Sequence, residues 1–163
     1  MRPLTEADVR ASFVNADADD LRIMEMPHDF LLVDWDYLDF FAWRDPGASR
    51  RGYVLIPHEG EVRGVVLRAS DAGRGRSGMC NICRTVQPGN QVSLFSARRA
   101  GEAGLRGDSF GTYMCADLSC HENVRLAHPL APNEIRAAGQ VDFRLDGTRR
   151  RMETFVAQVW QHA

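Results

Sequence analysis

Four cysteines constrain this chain more than any other residues. They are Cys80, Cys83, Cys115 and Cys120, a C-x2-C pair and a C-x4-C pair separated by 31 residues, with none left over. A C-x2-C turn presents two thiolates to one ion, and Zn2+ takes four tetrahedral ligands with each sulfur about 2.3 Å away. The intervening segment is long enough for a β-hairpin that returns the chain to the first pair. A helix starting at Cys120 would favour a thiolate there, because the helix N-terminus carries partial positive charge. Knuckle, hairpin, helix is the order of a treble-clef zinc finger. Four thiolates fill the coordination sphere, so one Zn2+ would be structural and not catalytic. Two alternatives stand beside this reading: reduced pairs lining a core, and a redox C-x2-C. A redox motif normally follows a strand in a βαβ pattern, which is missing here. His121, next to Cys120, is an alternative fourth ligand; Cys120 is preferred because four cysteines leave no orphan thiol.

The N-terminus, Met1 to Glu6, has no apolar h-region, so secretion is not expected. In a reducing cytoplasm, paired cysteines point to metal before disulfides. No run approaches the ~18 apolar residues of a membrane span. At 163 residues the chain is expected to be one α+β domain. Within it, an acidic and aromatic part covers residues 1–50, a zinc-finger core about 51–128, and C-terminal helices 129–163.

Local patterns fill in this outline. Thr5 and Asp8 predict an N-cap and a short helix over residues 6–15. Asn15 to Asp20 reads as a polar break. Trp35 to Arg44 suits a buried helical turn or a short strand. Residues 53–57 and 62–68 are β-branched runs flanking His58-Glu59-Gly60-Glu61, a hairpin signature. Residues 91–97 and 109–114 read as two more strands, with a glycine-rich loop over 101–107. Ser119 and Glu122 suggest a capping box for a helix from Cys120, ended by His128-Pro129. Asn133-Glu134-Ile135 opens a further short helix. Residues 149–161 carry Met152, Phe155, Val156, Val159 and Trp160 on one face of a terminal amphipathic helix.

Charge is unevenly distributed. Residues 1–45 hold 11 Asp/Glu against 4 Arg, whereas residues 63–106 hold 8 Arg against Asp71 and Glu102. The basic stretch is either a face for an acidic partner or RNA, or a face neutralised within the fold by the acidic N-terminal part. All 20 basic residues are Arg, which excludes Schiff-base and P-loop lysine chemistry. Gly73 to Gly78 spells G-x-G-x-x-G, but a cysteine knuckle follows where a dinucleotide site needs a helix. Asp34, Asp36 and Asp39 lack the rest of an EF-hand. His28, His58, His128 and His162 form no recognisable catalytic set, so no enzyme activity is expected. Trp35, Phe40, Phe41 and Trp43 are expected in the core. Phe95, Phe110 and Tyr113 either form, beside Arg98, Arg99 and Arg106, a candidate partner-binding patch or pack behind the zinc.

Several strings carry a family resemblance: residues 9–15 (VRASFVN), 41–46 (FAWRDP), 64–68 (GVVLR), 79–83 (MCNIC) and 111–120 (GTYMCADLSC). From about residue 5 to 160 the chain resembles the FBP family, the treble-clef zinc domain of FusB-type elongation factor G-binding proteins. The resemblance implies a zinc held by Cys80, Cys83, Cys115 and Cys120. It also implies a cytoplasmic role in translation, with elongation factor G as partner and release from the ribosome as outcome. FusB-type proteins carry an N-terminal helical bundle ahead of this domain, and the acidic, Pro-broken residues 1–50 do not read as one. The alternative function is a zinc-finger protein binding RNA or DNA through the Arg-rich face 63–106.

Overall fold

The strands that read as a hairpin in the sequence form the centre of the structure. In the computed structural model, which describes residues 1–70, 78–126 and 139–160, β2 (Arg51–His58) and β3 (Glu61–Ala69) pair antiparallel from Arg51↔Arg68 to His58↔Glu61. Glu59 and Gly60, with φ of 50° and 85°, make the tight turn between them. Tyr53-Val54-Leu55-Ile56 and Val65-Val66-Leu67 are continuously apolar because both faces of these strands are covered. Tyr53, Leu55 and Val66 point into one apolar cluster, and Val54, Ile56, Val65 and Leu67 into another.

Five strands make one antiparallel sheet in the order β1-β2-β3-β6-β7. β1 is Phe41–Arg44, β6 Val92–Arg98 and β7 Ser109–Cys115, while the short β4 (Gly78–Met79) and β5 (Val86–Gln87) form the separate knuckle ribbon. The acidic N-terminal part covers one face of the sheet with Leu4, Val9 and Met24 against Trp43 and Tyr53. It comprises α1 (Glu6–Ala11), α2 (Ala18–Arg22) and two 3-10 turns, at Phe30–Leu32 and Trp35–Tyr37. The other face holds the four cysteines, α4 (Cys120–Arg125) and α5 (Gln140–Trp160), whose Met152, Phe155, Val156 and Val159 are buried. Among the described residues, no helix is long and apolar enough to cross a membrane.

Several expected elements change on folding. The capping box at Thr5 and Asp8 forms, but the helix stops at Ala11 and not at residue 15. The chain leaves it to lie along β3: the Gly64 N–H donates to Ser12 O and the Val14 N–H to Gly64 O, both at 2.9 Å. This approach needs a glycine, since a Cβ on Gly64 would come within 2.6 Å of Ser12 Oγ. The supposed break over residues 15–20 contains the start of α2, capped reciprocally by Asp17 and Asp20. The loop over 101–107 holds a short helix, α3 (Gly101–Leu105). The Ser119–Glu122 box is not made; the Ser119 hydroxyl donates to Asp117 Oδ1 at 2.6 Å instead. α4 ends at Arg125, and α5 begins at Gln140, nine residues ahead of the expected start. The readings at Gly73–Ser77, His128-Pro129 and Asn133–Ile135 lie outside the described residues.

Asn15 resolves a conflict in the sheet. β3 and β6 pair only at Arg68↔Ser96 and Ala69↔Phe95. Beyond that point the strands part and their main-chain groups lose their ladder partners. The buried Asn15 side chain fills in: Nδ2 donates to Val66 O (3.1 Å) and Arg98 O (2.8 Å), and Oδ1 accepts from the Val66 N–H (2.8 Å). Asn15→Ala would strand these buried groups, at about 1–3 kcal/mol for each left unsatisfied. The expected result is a loss of about 3 kcal/mol in urea unfolding of the zinc-loaded protein; a loss under about 0.5 kcal/mol would contradict this role.

Candidate metal centre

Three elements bring the cysteines together. The knuckle between β4 and β5 carries Cys80 and Cys83, β7 ends on Cys115, and α4 begins with Cys120. The knuckle turn is set by main-chain bonds: the Cys80 N–H donates to Thr85 O and the Arg84 N–H to Cys80 O, both at 3.0 Å. Arg84 stands at φ 59°, in the left-handed region that glycine adopts freely and arginine does not. The Asn81 N–H donates to Tyr113 O at 2.8 Å, tying the knuckle to β7 two residues before Cys115. Between Cys115 and Cys120, Leu118 turns the chain at φ 65°. The Ser119 N–H there donates to Asp117 Oδ1 at 3.0 Å.

All four sulfurs are buried and lie within 4.8 Å of one another. Cys80 and Cys120 are 3.5 Å apart, and Cys83 and Cys115 3.6 Å. A tetrahedron with metal–sulfur bonds near 2.3 Å has edges of about 3.8 Å, so the spacing fits a single zinc ion. The surroundings suit thiolates. The Ile82 and Cys83 N–H groups point at Cys80 Sγ (3.3 and 3.4 Å), and Asn123 Nδ2 donates to Cys115 Sγ at 3.3 Å. Thr85 Oγ1 lies 2.9 Å from Cys83 Sγ while accepting from Gln87 Nε2, which leaves its own proton to donate to the sulfur. Hydrogen bonds from the Cys115 and Cys120 thiols push the Cys83 pKa far below its ordinary range. Contacts with Cys115, Cys80 and Cys83 push that of Cys120 well up. Protons and sulfur charge thus compete within one small volume, and a bound dication relieves the competition by letting all four sulfurs ionise. Four thiolates around Zn2+ leave a net charge of roughly −2. Arg151 faces it from α5 and fixes the knuckle by donating from Nε to Ile82 O at 2.5 Å. Cys80, Cys83, Cys115 and Cys120 are therefore positioned to hold one zinc ion, which when bound supplies a crosslink between knuckle, strand and helix.

His121 points away from the sulfurs. Its ring packs edge-on against Tyr37 and Phe40, with centroids 4.9 and 6.0 Å apart. Burial, and secondarily the Arg125 guanidinium, push its pKa down to about 4. The imidazole is thus neutral near pH 7 and serves as an aromatic packing group.

The candidate partner patch is divided. Phe95 is fully buried in the core beneath the sheet, with the Arg44 guanidinium 5.1 Å from its ring centroid, and offers no contact surface. This corrects the expectation for that residue: β6 sends Phe95 inward and its neighbour Leu94 outward. Phe110 is half-buried against Phe155, with ring centroids 5.6 Å apart. Arg98 pairs with Asp17 at 3.3 Å. Arg106 is exposed, Arg99 half-buried and Tyr113 about half exposed. Sequence reasoning missed Thr85, Asn123 and Arg151 around the sulfurs. Thr85 follows Cys83 by two residues, a spacing that brings its hydroxyl back to that sulfur, whereas Asn123 on α4 reaches Cys115, eight residues earlier.

The family model described as the FBP C-terminal treble-clef zinc-finger matches residues 8–159. No curated protein and no solved structure matches the chain.

Cys120→Ser should remove tight zinc binding. His121→Ala should keep one zinc per chain by native mass spectrometry, while losing about 2 kcal/mol of stability from the packing hole. Zinc lost from the His121 variant and kept by the Cys120 variant would reverse the ligand assignment.

Proposed function

Because the chain belongs to the FBP C-terminal treble-clef zinc-finger family, we propose that it is a cytoplasmic, non-catalytic binding protein of the translation machinery. Its partner in this reading is elongation factor G. The resemblance to FusB-type proteins supports the choice of partner. The observation that carries a binding role is the outer face of the β6–β7 hairpin. Leu94 and Tyr113 sit directly opposite each other there, 37% and 52% exposed. Large apolar side chains paired on a solvent face are what a protein partner desolvates. The hairpin ends at Cys115, so a bound zinc fixes its position before the partner arrives, and less ordering entropy is lost on binding. Exposed Arg106 and half-buried Arg99 at the far end of the hairpin add positive charge for an acidic surface. Binding to one conformation of elongation factor G would bias it toward that state, and so toward release from the ribosome.

The RNA or DNA alternative draws less support. Of the arginines between 63 and 106, Arg68 is ion-paired with Asp20 and Arg98 with Asp17, while Arg63 lies over the Trp160 ring at 5.0 Å. The acidic N-terminal part thus neutralises part of the basic stretch within the fold.

The test is size-exclusion chromatography with elongation factor G from the same organism at near-physiological salt. Wild type should co-elute, and Tyr113→Ala combined with Arg106→Glu should weaken binding at least about tenfold with zinc content unchanged. Separate peaks for the wild-type protein would contradict the assignment.

A further inference from the structure

Among the described residues, β7 is the last strand of the sheet, and its outer edge is open from Ser109 to Thr112. The direction of its main-chain groups follows from two bonds. Leu94 O accepts from the Ser70 N–H on the β3 side, and Tyr113 O accepts from the Asn81 N–H on the other. Leu94 and Tyr113 are opposite each other, so their main-chain groups point apart. In an antiparallel ladder this alternates every second residue. The pairs Ser96↔Gly111 and Arg98↔Ser109 are therefore of the same kind, consistent with Arg98 O turning away to Asn15. The N–H and C=O of Gly111 and Ser109 face outward, both residues are exposed, and neither meets a partner on that side among the described residues. Ser109 to Thr112 also carries none of the charges, prolines or bulges that usually blunt a sheet edge.

The helix layer overhangs this edge. A groove of about 360 Å3 runs between β7 and α5, floored by Phe110, Thr112 and Phe155, with Thr154 and Gln158 on the helix side. The knuckle closes it with Asn81 and Arg84. Alternate side chains of one more strand beside β7 would fall into this groove and complete the packing of α5. A second groove, of about 340 Å3, continues along α5 and shares Arg84 and Arg151 with the first. Arg144 and Arg150 line it too, and its one carboxylate, Asp146, is already paired with Arg149 at 3.6 Å.

We infer that the outer edge of β7 takes up an extended, acidic peptide segment of a partner protein as a sixth strand. The segment's main chain bonds to Gly111 and Ser109. One of its apolar side chains fills the groove over Phe110 and Phe155. Its carboxylates lie beside Arg84, Arg150 and Arg151. Main-chain pairing supplies affinity, and the groove and arginines supply selectivity, as in other strand-addition modes. The partner need not be elongation factor G, so this mode stands or falls separately from the preceding reading.

A displayed library of random peptides of about nine residues, long-strand length, tests it against the zinc-loaded full chain. Thr154→Trp, which plugs the groove, serves as the comparison. Enriched sequences should alternate apolar residues with others and carry Asp or Glu. The most enriched peptide, made synthetically, should bind about tenfold more weakly to Thr154→Trp and to Arg84→Glu. Amide hydrogen exchange at Gly111 should slow about tenfold when that peptide is bound. A variant that loses zinc is replaced by Gln158→Trp, which fills the same groove. Three results overturn the inference: no peptide preferring wild type over the plugged variant, binding that leaves Gly111 exchange unchanged, or capture of a random single-stranded RNA pool in place of peptides.

Discussion

Four sulfurs converging on one point join three elements that could not hold their places separately. The knuckle ribbon has two short strands and cannot hold its shape alone. It is tied to β7 through Asn81 and to α5 through Arg151, and both ties assume the turn that Cys80 and Cys83 set. α4 spans only Cys120–Arg125, far below the length at which an isolated helix persists in water. A zinc ion bridging Cys80, Cys83, Cys115 and Cys120 replaces the core that these pieces are too small to build. The same buried face receives Met152, Phe155 and Val156 of α5, so metal site and apolar core form one cluster.

The sheet links this centre to the acidic N-terminal part. β2 and β3 are apolar on both faces, so neither face is stable until something covers it. α5 and the zinc centre cover one, and residues 1–45 the other. The charge asymmetry has a physical outcome here. Asp17 and Asp20 reach across to Arg98 and Arg68, and Asp39 to Arg125. Arg106 near the hairpin tip and Arg84 and Arg150 beside the α5 groove are exposed, where the proposed contacts lie.

How much of this was legible in the sequence depended on whether the signal was local. The cysteine spacing determined the order of knuckle, hairpin and helix, because metal geometry acts over a few residues at each end. The β2–β3 hairpin was legible because Glu59-Gly60 sits between two β-branched runs. Phe95 was misread because Leu94 and Phe95 are adjacent and both apolar, so alternation alone could not say which points inward. Asn15 looked like part of a polar break, because its partners Val66 and Arg98 are 51 and 83 residues away. The first turns of α5 were missed because Gly147 and a mix of charges obscure the apolar face that emerges at Met152. The edge of β7, unpaired among the described residues, had no sequence signal, since an edge is set by which strands lie beside it and not by its own residues.

Amide hydrogen exchange before and after zinc chelation shows whether the four sulfurs hold these elements together. If the zinc centre holds knuckle, hairpin and α4 as one unit, the amides of Asn81, Arg84 and Asn123, which donate to Tyr113 O, Cys80 O and Ser119 O, should lose protection together when the metal is removed. Protection unchanged at those three positions in the chelated protein would mean that the apolar core alone holds these elements, and the account would be wrong.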